Sequence, residues 1–585
     1  MHGKIKPILR LPVGCDEFGK LLDNKLIFID KSLFIREIIE DTTEVILITR
    51  PRRFGKTLNM SLLHYFFAEQ VLEHKTAGMF DHLQIAQYPE CMAHQGKYPV
   101  VSITFKDMKN TTYQHCYDGL CQALQEAYRL HENLISHEKL PEPYQQEFAA
   151  VLYSRATEKE IRFALLNLTR YLYQCYGVRP IILIDEYDTP IQSGYQYQYY
   201  EEAVQLIREI LSPALKNNRY LHKAVLTGVT RVAKEGIFSG LNNVEVYSLL
   251  HQRYSEYFGF TEKEVQELLL QAGLENKAAE VRHWYNGYQI GPQQIYNPWS
   301  IVHYLKNQGK PNYYWVNTSD NFLLKELIVD ANTDVKAQFQ HLLQGASIQT
   351  TISDDFIFPE VKKMEETLWA LLVMAGYLTP IAEVSDAVEE TEYMLAIPNR
   401  EVRSIYARFI RQWLTKGKNQ LWYKNFIDQL LVGNIPVFET GIQHIILQIV
   451  STYDVGYKPE NFYHGLMLGL ILYLEPPRYR VVSNRESGLG RYDIAIIPQN
   501  NQELAIILEL KSVAPKKDNT EIEASLLMTA AKEAVTQINQ RHYIADLAYL
   551  KFQRICKIGL AFCGKNLHIE YEIETLNLHE TQKSE

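Results

Sequence analysis

Three groups of residues in this 585-residue sequence have types and spacings suited to phosphate chemistry. The first is Thr49-Arg50-Pro51-Arg52-Arg53-Phe54-Gly55-Lys56-Thr57. A Gly-Lys-Thr triplet that opens a helix presents backbone N–H groups and the positive end of the helix dipole to an anion. In such a loop the lysine reaches the β and γ oxygens, and the threonine hydroxyl takes a place on Mg2+. Arg53, Phe54, Gly55, Lys56 and Thr57 are therefore the candidates for holding a nucleoside triphosphate, ATP with Mg2+ being the expected one. The usual first glycine of the pattern is replaced by Arg50, and Pro51 removes an amide donor, so the loop entrance must differ from the common one. Arg52 and Arg53 either add charge on the phosphates, face a partner or stay solvated.

The second group is Asp185-Glu186 after the apolar run Ile181-Ile182-Leu183-Ile184. Open α/β sheets bind ligands outside the C-terminal ends of their strands. Asp185 is there to hold Mg2+ through water. Glu186 is placed to polarise an attacking water, which suits hydrolysis better than phosphorylation of a hydroxyl by a P-loop kinase. Asp188 reads as a turn or helix-cap residue. Gly228-Val229-Thr230-Arg231 follows another apolar run and offers polar groups to a γ-phosphate.

The third group is Asp493, in Arg491-Tyr492-Asp493-Ile494, with Glu509-Leu510-Lys511 a short interval later. Strand positions two apart share a face, so Glu509 and Lys511 point one way and Leu510 the other, into the core. Two carboxylates and a lysine at a strand end suit metal-assisted phosphodiester hydrolysis. Asp493 and Glu509 would hold Mg2+, or Mn2+, while Lys511 orients water or stabilises developing charge. Gln537, on a helix expected over 530–543, is placed near the same edge. Glu460 and His464 lie one helical turn apart and either supply an acid or base or simply cap and line their helix.

These side chains need rigid elements behind them. Val45–Thr49, Val100–Phe105, Ile181–Ile184 and Ala224–Thr227 are continuous apolar runs, as strands buried on both faces require. They alternate with helical patterns, which predicts a parallel sheet covered by helices. Leu58–Phe67 has helical spacing directly after the loop. From Tyr254 to Tyr457 the pattern turns mostly helical, as in Glu262–Leu270 and Thr367–Met374. Pro459 opens a helix, and the tail beyond Arg478 runs strand, strand, helix, strand. The expectation is an α/β protein of three regions: a phosphate-loop NTPase domain over 1–250, a helical lid or connector over 251–455, and a compact α/β domain over 456–585.

A chain this long exceeds the roughly 250–300 residues at which single cores stop growing. The composition, 46% hydrophobic and 22% charged, fits packed cores. A net charge of −9 excludes a globally basic nucleic-acid binder, so a polyanion would need a local channel. Arg478, Arg480, Arg485, Arg491, Lys516 and Lys517 offer one. Seven scattered cysteines read as buried reduced thiols. No signal peptide or bilayer-length apolar run is present, so a cytoplasmic location without a membrane is expected.

Taken together the motifs resemble a bacterial family of predicted AAA-ATPase-like proteins joined to a C-terminal PD-(D/E)xK nuclease-superfamily domain. The resemblance rests on Leu11–Gly14, Phe28–Lys31, Arg50–Thr57 and Leu183–Asp188 in the N-terminal half. Trp284–Tyr288 and Tyr296–Ser300 carry it in the middle. Phe462–Gly465, Ser483–Asp493 and Glu509–Lys511 carry it in the C-terminal half. The arginine in place of the first loop glycine is similar to the family's own variant. The resemblance implies a restriction-endonuclease-like C-terminal fold, and nucleic acid, DNA or RNA, as the partner of that domain. Two readings follow. In one, nucleotide state controls cleavage at Asp493, Glu509 and Lys511. In the other, the protein is a nucleotide-dependent switch whose C-terminal fold binds without cleaving. Oligomerisation, with an arginine from a neighbouring subunit completing the ATP site, is compatible with either.

Overall fold

The computed structural model describes residues 9–231, 243–315, 333–343, 345–352, 358–361, 364–384, 391–414, 420–449, 459–471, 474, 478–487, 490–514, 520–540 and 552–575. By packing, the chain forms two compact units, 1–324 with 349–402 and 325–348 with 403–585. Composition changes near 250 and 455, but packing groups the chain by a different criterion: most of the described middle region belongs to the unit that holds the phosphate loop.

The first unit is built on a sheet of five parallel strands: β1 (Val45–Thr49), β2 (Val100–Thr104), β3 (Ile181–Asp185), β4 (Lys223–Gly228) and β5 (Val244–Tyr247). Their spatial order is β2-β3-β4-β1-β5. Every residue of β1, β3 and β4 is buried, which explains the unbroken apolar runs. Ile46 and Ile48 of β1 belong to one core cluster with Leu62, Leu63 and Phe66 of α1 (Lys56–Phe67). The edge strand β5 goes beyond the sequence expectation, because its alternating sequence Val-Glu-Val-Tyr is short and only half buried.

After β5 the unit continues with helices and two small antiparallel sheets, the latter absent from the sequence expectation. Phe260–Thr261, Gln293–Tyr296 and Tyr288–Ile290 form one, and Thr379–Val384 pairs with Glu392–Ala396 in the other. The expected helices appear as Glu262–Ala272, opened by a Thr261/Glu264 capping box, and Glu365–Met374. Among the described residues no helix is long and apolar enough to cross a membrane.

The second unit carries a mixed sheet of β6 (Tyr479–Ser487), β7 (Gly490–Pro498), β8 (Ala505–Ser512), β9 (Arg554–Cys563) and β10 (Asn566–Thr575), in that order. Only β8 and β9 are parallel. A parallel pair needs a long crossover, which helix Thr520–Gln540 supplies. Compared with the expected strand, strand, helix, strand, the tail gains a hairpin strand at each end. The crossover helix starts ten residues earlier than position 530, and residues 541–543 of its expected span lie outside the described residues.

That helix approaches the sheet closely because β9 offers Gly559 beneath it. A Cβ there would collide with the carbonyl of Ala531 and lie 2.8 Å from Cβ of Ala534. Gly559→Ala is expected to cost the second unit about 1–3 kcal/mol through overpacking. Calorimetry should show a lowered transition for that unit, and an unchanged profile would show that the helix has room to move.

Candidate functional site

The phosphate loop runs from the end of β1 into α1. Gly55 at the helix entrance has φ 85° and no side-chain cap. The first N–H groups of α1 are therefore left for a ligand. Lys56 is buried within the loop and donates from Nζ to the carbonyls of Arg50 (3.0 Å) and Pro51 (3.1 Å). Burial lowers its pKa, while Glu186, Asp185 and Asp188 act in the opposite sense.

Strand order brings the two nucleotide motifs together. β4 lies between β1 and β3, so Thr57 and Asp185 meet across its end. Thr57 donates from Oγ1 to Asp185 Oδ2 at 2.7 Å, and Thr227 of β4 donates to Oδ1 at 2.6 Å. Asp185 is only 4% exposed. Burial raises its pKa, Glu186 adds to the rise, and the two hydroxyls and Lys56 oppose it. A hydroxyl and a buried carboxylate at hydrogen-bonding distance fit a site for Mg2+, which takes one or two carboxylates and otherwise water or phosphate oxygen.

Glu186 lines the same cleft and has φ 53°, a strained value for a non-glycine residue. Thr189 donates to its Oε2 at 3.2 Å, and its own N–H reaches Thr227 Oγ1 at 3.4 Å. Asp188 stands in the turn at the N-cap position of its helix, as expected, but makes no side-chain cap bond there. Instead its Oδ2 accepts from the N–H groups of Val229 (3.0 Å) and Thr230 (2.8 Å), from the Thr230 hydroxyl (2.8 Å), and from Gln192 (2.8 Å). It thereby fixes the segment after β4. Lys106 and Lys109, past the end of β2, also line the cleft of about 240 Å3, as do Arg52, Arg53 and Phe54. Neither lysine stands out in the sequence, since neither belongs to a motif.

The role of Arg50 is likewise invisible in the sequence. Its side chain is fully buried and donates to the carbonyls of Thr49 (2.8 Å), Tyr247 (2.9 Å) and Tyr254 (3.3 Å). Burial pushes its pKa down to about 9, so the group keeps its charge at neutral pH. The substitution at the first loop position thus ties the end of β1 to β5 and the chain beyond it.

In the second unit β7 and β8 pair over Ile494/Leu508 to Ile496/Ile506 and part on the Asp493/Glu509 side of that stretch. Where they part, Asp493 Oδ2 accepts the backbone N–H of Leu510 at 2.8 Å. Burial raises the Asp493 pKa, against the Leu510 N–H, His464 and Lys511. Glu509 is 3% exposed. Gln537 donates from Nε2 to Glu509 Oε1 and accepts at Oε1 from Lys511 Nζ at 2.7 Å, and Lys511 Nζ stands 3.8 Å from Glu509 Oε1. Leu510 points into the core, as alternation requires. His464, on helix Pro459–Ile471, places Nε2 3.2 Å from the Asp493 carbonyl. The Glu460 side chain lies outside the described residues, as do the side chains of Arg485 and Arg491 and all of Lys516 and Lys517. Among the described residues no cluster of three or more His, Cys, Asp or Glu groups could hold a metal. Asp493 and Glu509 are a two-carboxylate set, which suits a hydrated Mg2+ or Mn2+.

Two segments of the chain match known family models. Residues 12–238 match the family model described as predicted AAA-ATPase. Residues 458–572 match the PD-(D/E)XK nuclease superfamily. The chain thus resembles these two families over those segments. It is also similar to a protein of Azotobacter chroococcum mcd 1 described as "Uncharacterized protein in vnfD 5'region", with 26% identity over 571 residues, 94% of this chain and 96% of the relative. The AAA-ATPase-like segment holds Lys56, Thr57, Asp185 and Glu186. The nuclease-superfamily segment holds His464, Asp493, Glu509, Lys511 and Gln537.

The raised pKa of Asp185 sets a sign. A carboxyl whose folded pKa lies above its unfolded value contributes stability that is complete below the ordinary carboxylate range, about 4, and lost as pH rises through the folded value. Asp185→Asn should therefore melt at or above the parent protein at pH 7 without nucleotide, the gap closing towards pH 4. Mg-ATP at about one hundred times its Kd should add about 2.7 kcal/mol to the parent protein and little to the variant. Thermal melts at both pH values check both parts, and an equal Mg-ATP shift in the two proteins would count against Asp185.

Proposed function

We propose that this AAA-ATPase-like protein binds and hydrolyses ATP with Mg2+, and that nucleotide state governs a metal-dependent phosphodiesterase acting on nucleic acid. The observation that carries the reading is that each motif, split along the sequence, closes into one constellation. Thr57 meets Asp185 from the next strand but one, and Gln537 bridges Glu509 and Lys511.

At the nucleotide site the N–H groups of the loop and Lys56 hold the phosphates, and Thr57 with Asp185 holds the cation. Glu186 orients the attacking water and accepts its proton. Asp188 keeps Val229 and Thr230 in place beside it. At the second site Asp493 and Glu509 hold the cation, and Lys511 orients water towards phosphorus, its ammonium fixed by Gln537. His464 steadies Asp493 through its backbone carbonyl. Divalent metal, when bound, supplies Lewis-acid activation of water and charge neutralisation at both sites.

Phosphate release and nucleic-acid cleavage, measured on single- and double-stranded DNA and RNA with Mg2+ or Mn2+, test the two halves separately. Glu186→Gln should lower ATP turnover by about 10^2-fold or more. Glu509→Ala and Lys511→Ala should each lower cleavage by about 10^2- to 10^3-fold and leave ATP affinity unchanged. Cleavage that survives both substitutions, or a parent protein inert on every substrate, would remove the nuclease half.

A further inference from the structure

Four successive residues of the phosphate loop are each met by chain that follows β5 in the same unit. Pro51 packs where Gly376, with φ +84°, leaves no room for a Cβ. The Arg52 carbonyl accepts the indole N–H of Trp315 at 3.1 Å. The Arg53 guanidinium lies over the ring of Trp299, 4.3 Å from its centroid. Phe54 meets Tyr288 edge-on at 5.0 Å. Arg53 also has φ 68°, a backbone value that a side-chain-bearing residue holds only when its surroundings impose it.

Both tryptophans answer to one carboxylate. Glu401 is fully buried. Its Oε2 accepts from the Ser300 hydroxyl at 2.6 Å, next to Trp299 in helix Pro298–Lys306, and its Oε1 accepts the backbone N–H of Trp315 at 2.6 Å. Two short charge-assisted hydrogen bonds in a dry setting fix the groups they join. Glu401 stands in the first turn of helix Arg400–Leu414, and the boundary between the two compact units falls after Val402, inside that helix.

We propose that Glu401 is a positioning residue for the phosphate loop. By holding Ser300 and the Trp315 backbone together, it sets Trp299 on Arg53 and Trp315 on the Arg52 carbonyl, so the loop's geometry depends on the helix that leads out of the nucleotide unit. The brace holds the loop pre-organised for a triphosphate, and a change in the helix's first turn alters the loop. The consequence for ATP rests on the function proposed above, but the brace itself does not.

The test uses the full chain. Glu401→Gln keeps the size of the side chain but presents only one oxygen, so one of the two hydrogen bonds loses its acceptor. Without nucleotide, amide exchange over residues 50–57 should quicken about tenfold in Glu401→Gln and about threefold in the milder Ser300→Ala. Exchange in β1 to β4 should stay unchanged, which a general loss of stability would not allow. Adding Trp299→Phe to Glu401→Gln should produce no further increase, because both act through one chain of contacts. The Kd for Mg-ATP should rise about tenfold in Glu401→Gln. Loop exchange equal to the parent protein in both single variants, or quickening spread over the whole sheet, overturns the proposal. Should Glu401→Gln fail to fold, Ser300→Ala decides by the same criterion. A parent protein that does not bind Mg-ATP refutes the proposed function, and loop exchange still decides the role of Glu401.

Discussion

Burying charge is the constraint around which both sites are arranged. Lys56 and Asp185 are nearly inaccessible, so bulk water cannot solvate them. Each must find its compensation in the protein. Each finds it in short, oriented contacts: two loop carbonyls for the ammonium, two threonine hydroxyls for the carboxylate. The carboxylate's contacts exist only because β4 is inserted between β1 and β3, setting Thr227 beside Asp185 and Thr57 opposite it. Arg50 extends the same principle to the loop's base, where three carbonyls accept from its guanidinium.

The second unit solves the problem by separating strands. Continuing the β7–β8 ladder past Ile494 would consume the Leu510 N–H in ordinary pairing. Parting the strands frees that N–H for the Asp493 carboxylate, while Leu510 and its neighbours stay registered with β9 on the other side. The half of β8 that pairs with β9 alone thus carries Glu509 and Lys511, and the divergent edge carries Asp493. The crossover helix, seated on Gly559, delivers Gln537 to the point where the carboxylate and the ammonium need a joint partner.

What is legible in the sequence has a common character. The loop, the acidic strand end and the Glu-x-Lys pair are short, and their elements declare themselves by apolar runs or by alternation within a few residues. Gln537 is reachable for the same reason, through the helical spacing around it. The two small antiparallel sheets and β5 are not, because their strands are short and partly exposed and carry little hydrophobic signal. Arg50 draws notice as an exception to a pattern, but its acceptors include Tyr247 and Tyr254, about two hundred positions away, where no local rule points. Glu401, Trp299 and Trp315 are harder still. A buried glutamate early in an amphipathic helix resembles any surface glutamate until the fold brings Ser300 and Trp315 against it.

The two sites also differ in how they stand towards a cation. Around Asp185 the nearest partners are hydroxyls, which orient a carboxylate without cancelling its charge; the Lys56 ammonium spends its hydrogen bonds on the loop carbonyls. The negative charge there is left for a metal ion to neutralise, and burial strengthens the attraction. Around Glu509 the Lys511 ammonium already supplies a positive charge, with Gln537 holding it. A cation entering that site competes with Lys511 for the same carboxylate and gains less from burial. By this reasoning the nucleotide site of the proposed function would take its metal readily, with the phosphates as further ligands. Under the proposed function, the nuclease-like site would take its metal only when a phosphodiester brings enough negative charge to occupy Lys511 as well. Metal loading there would then be tied to the arrival of a polyanion, in a protein whose own net charge is −9.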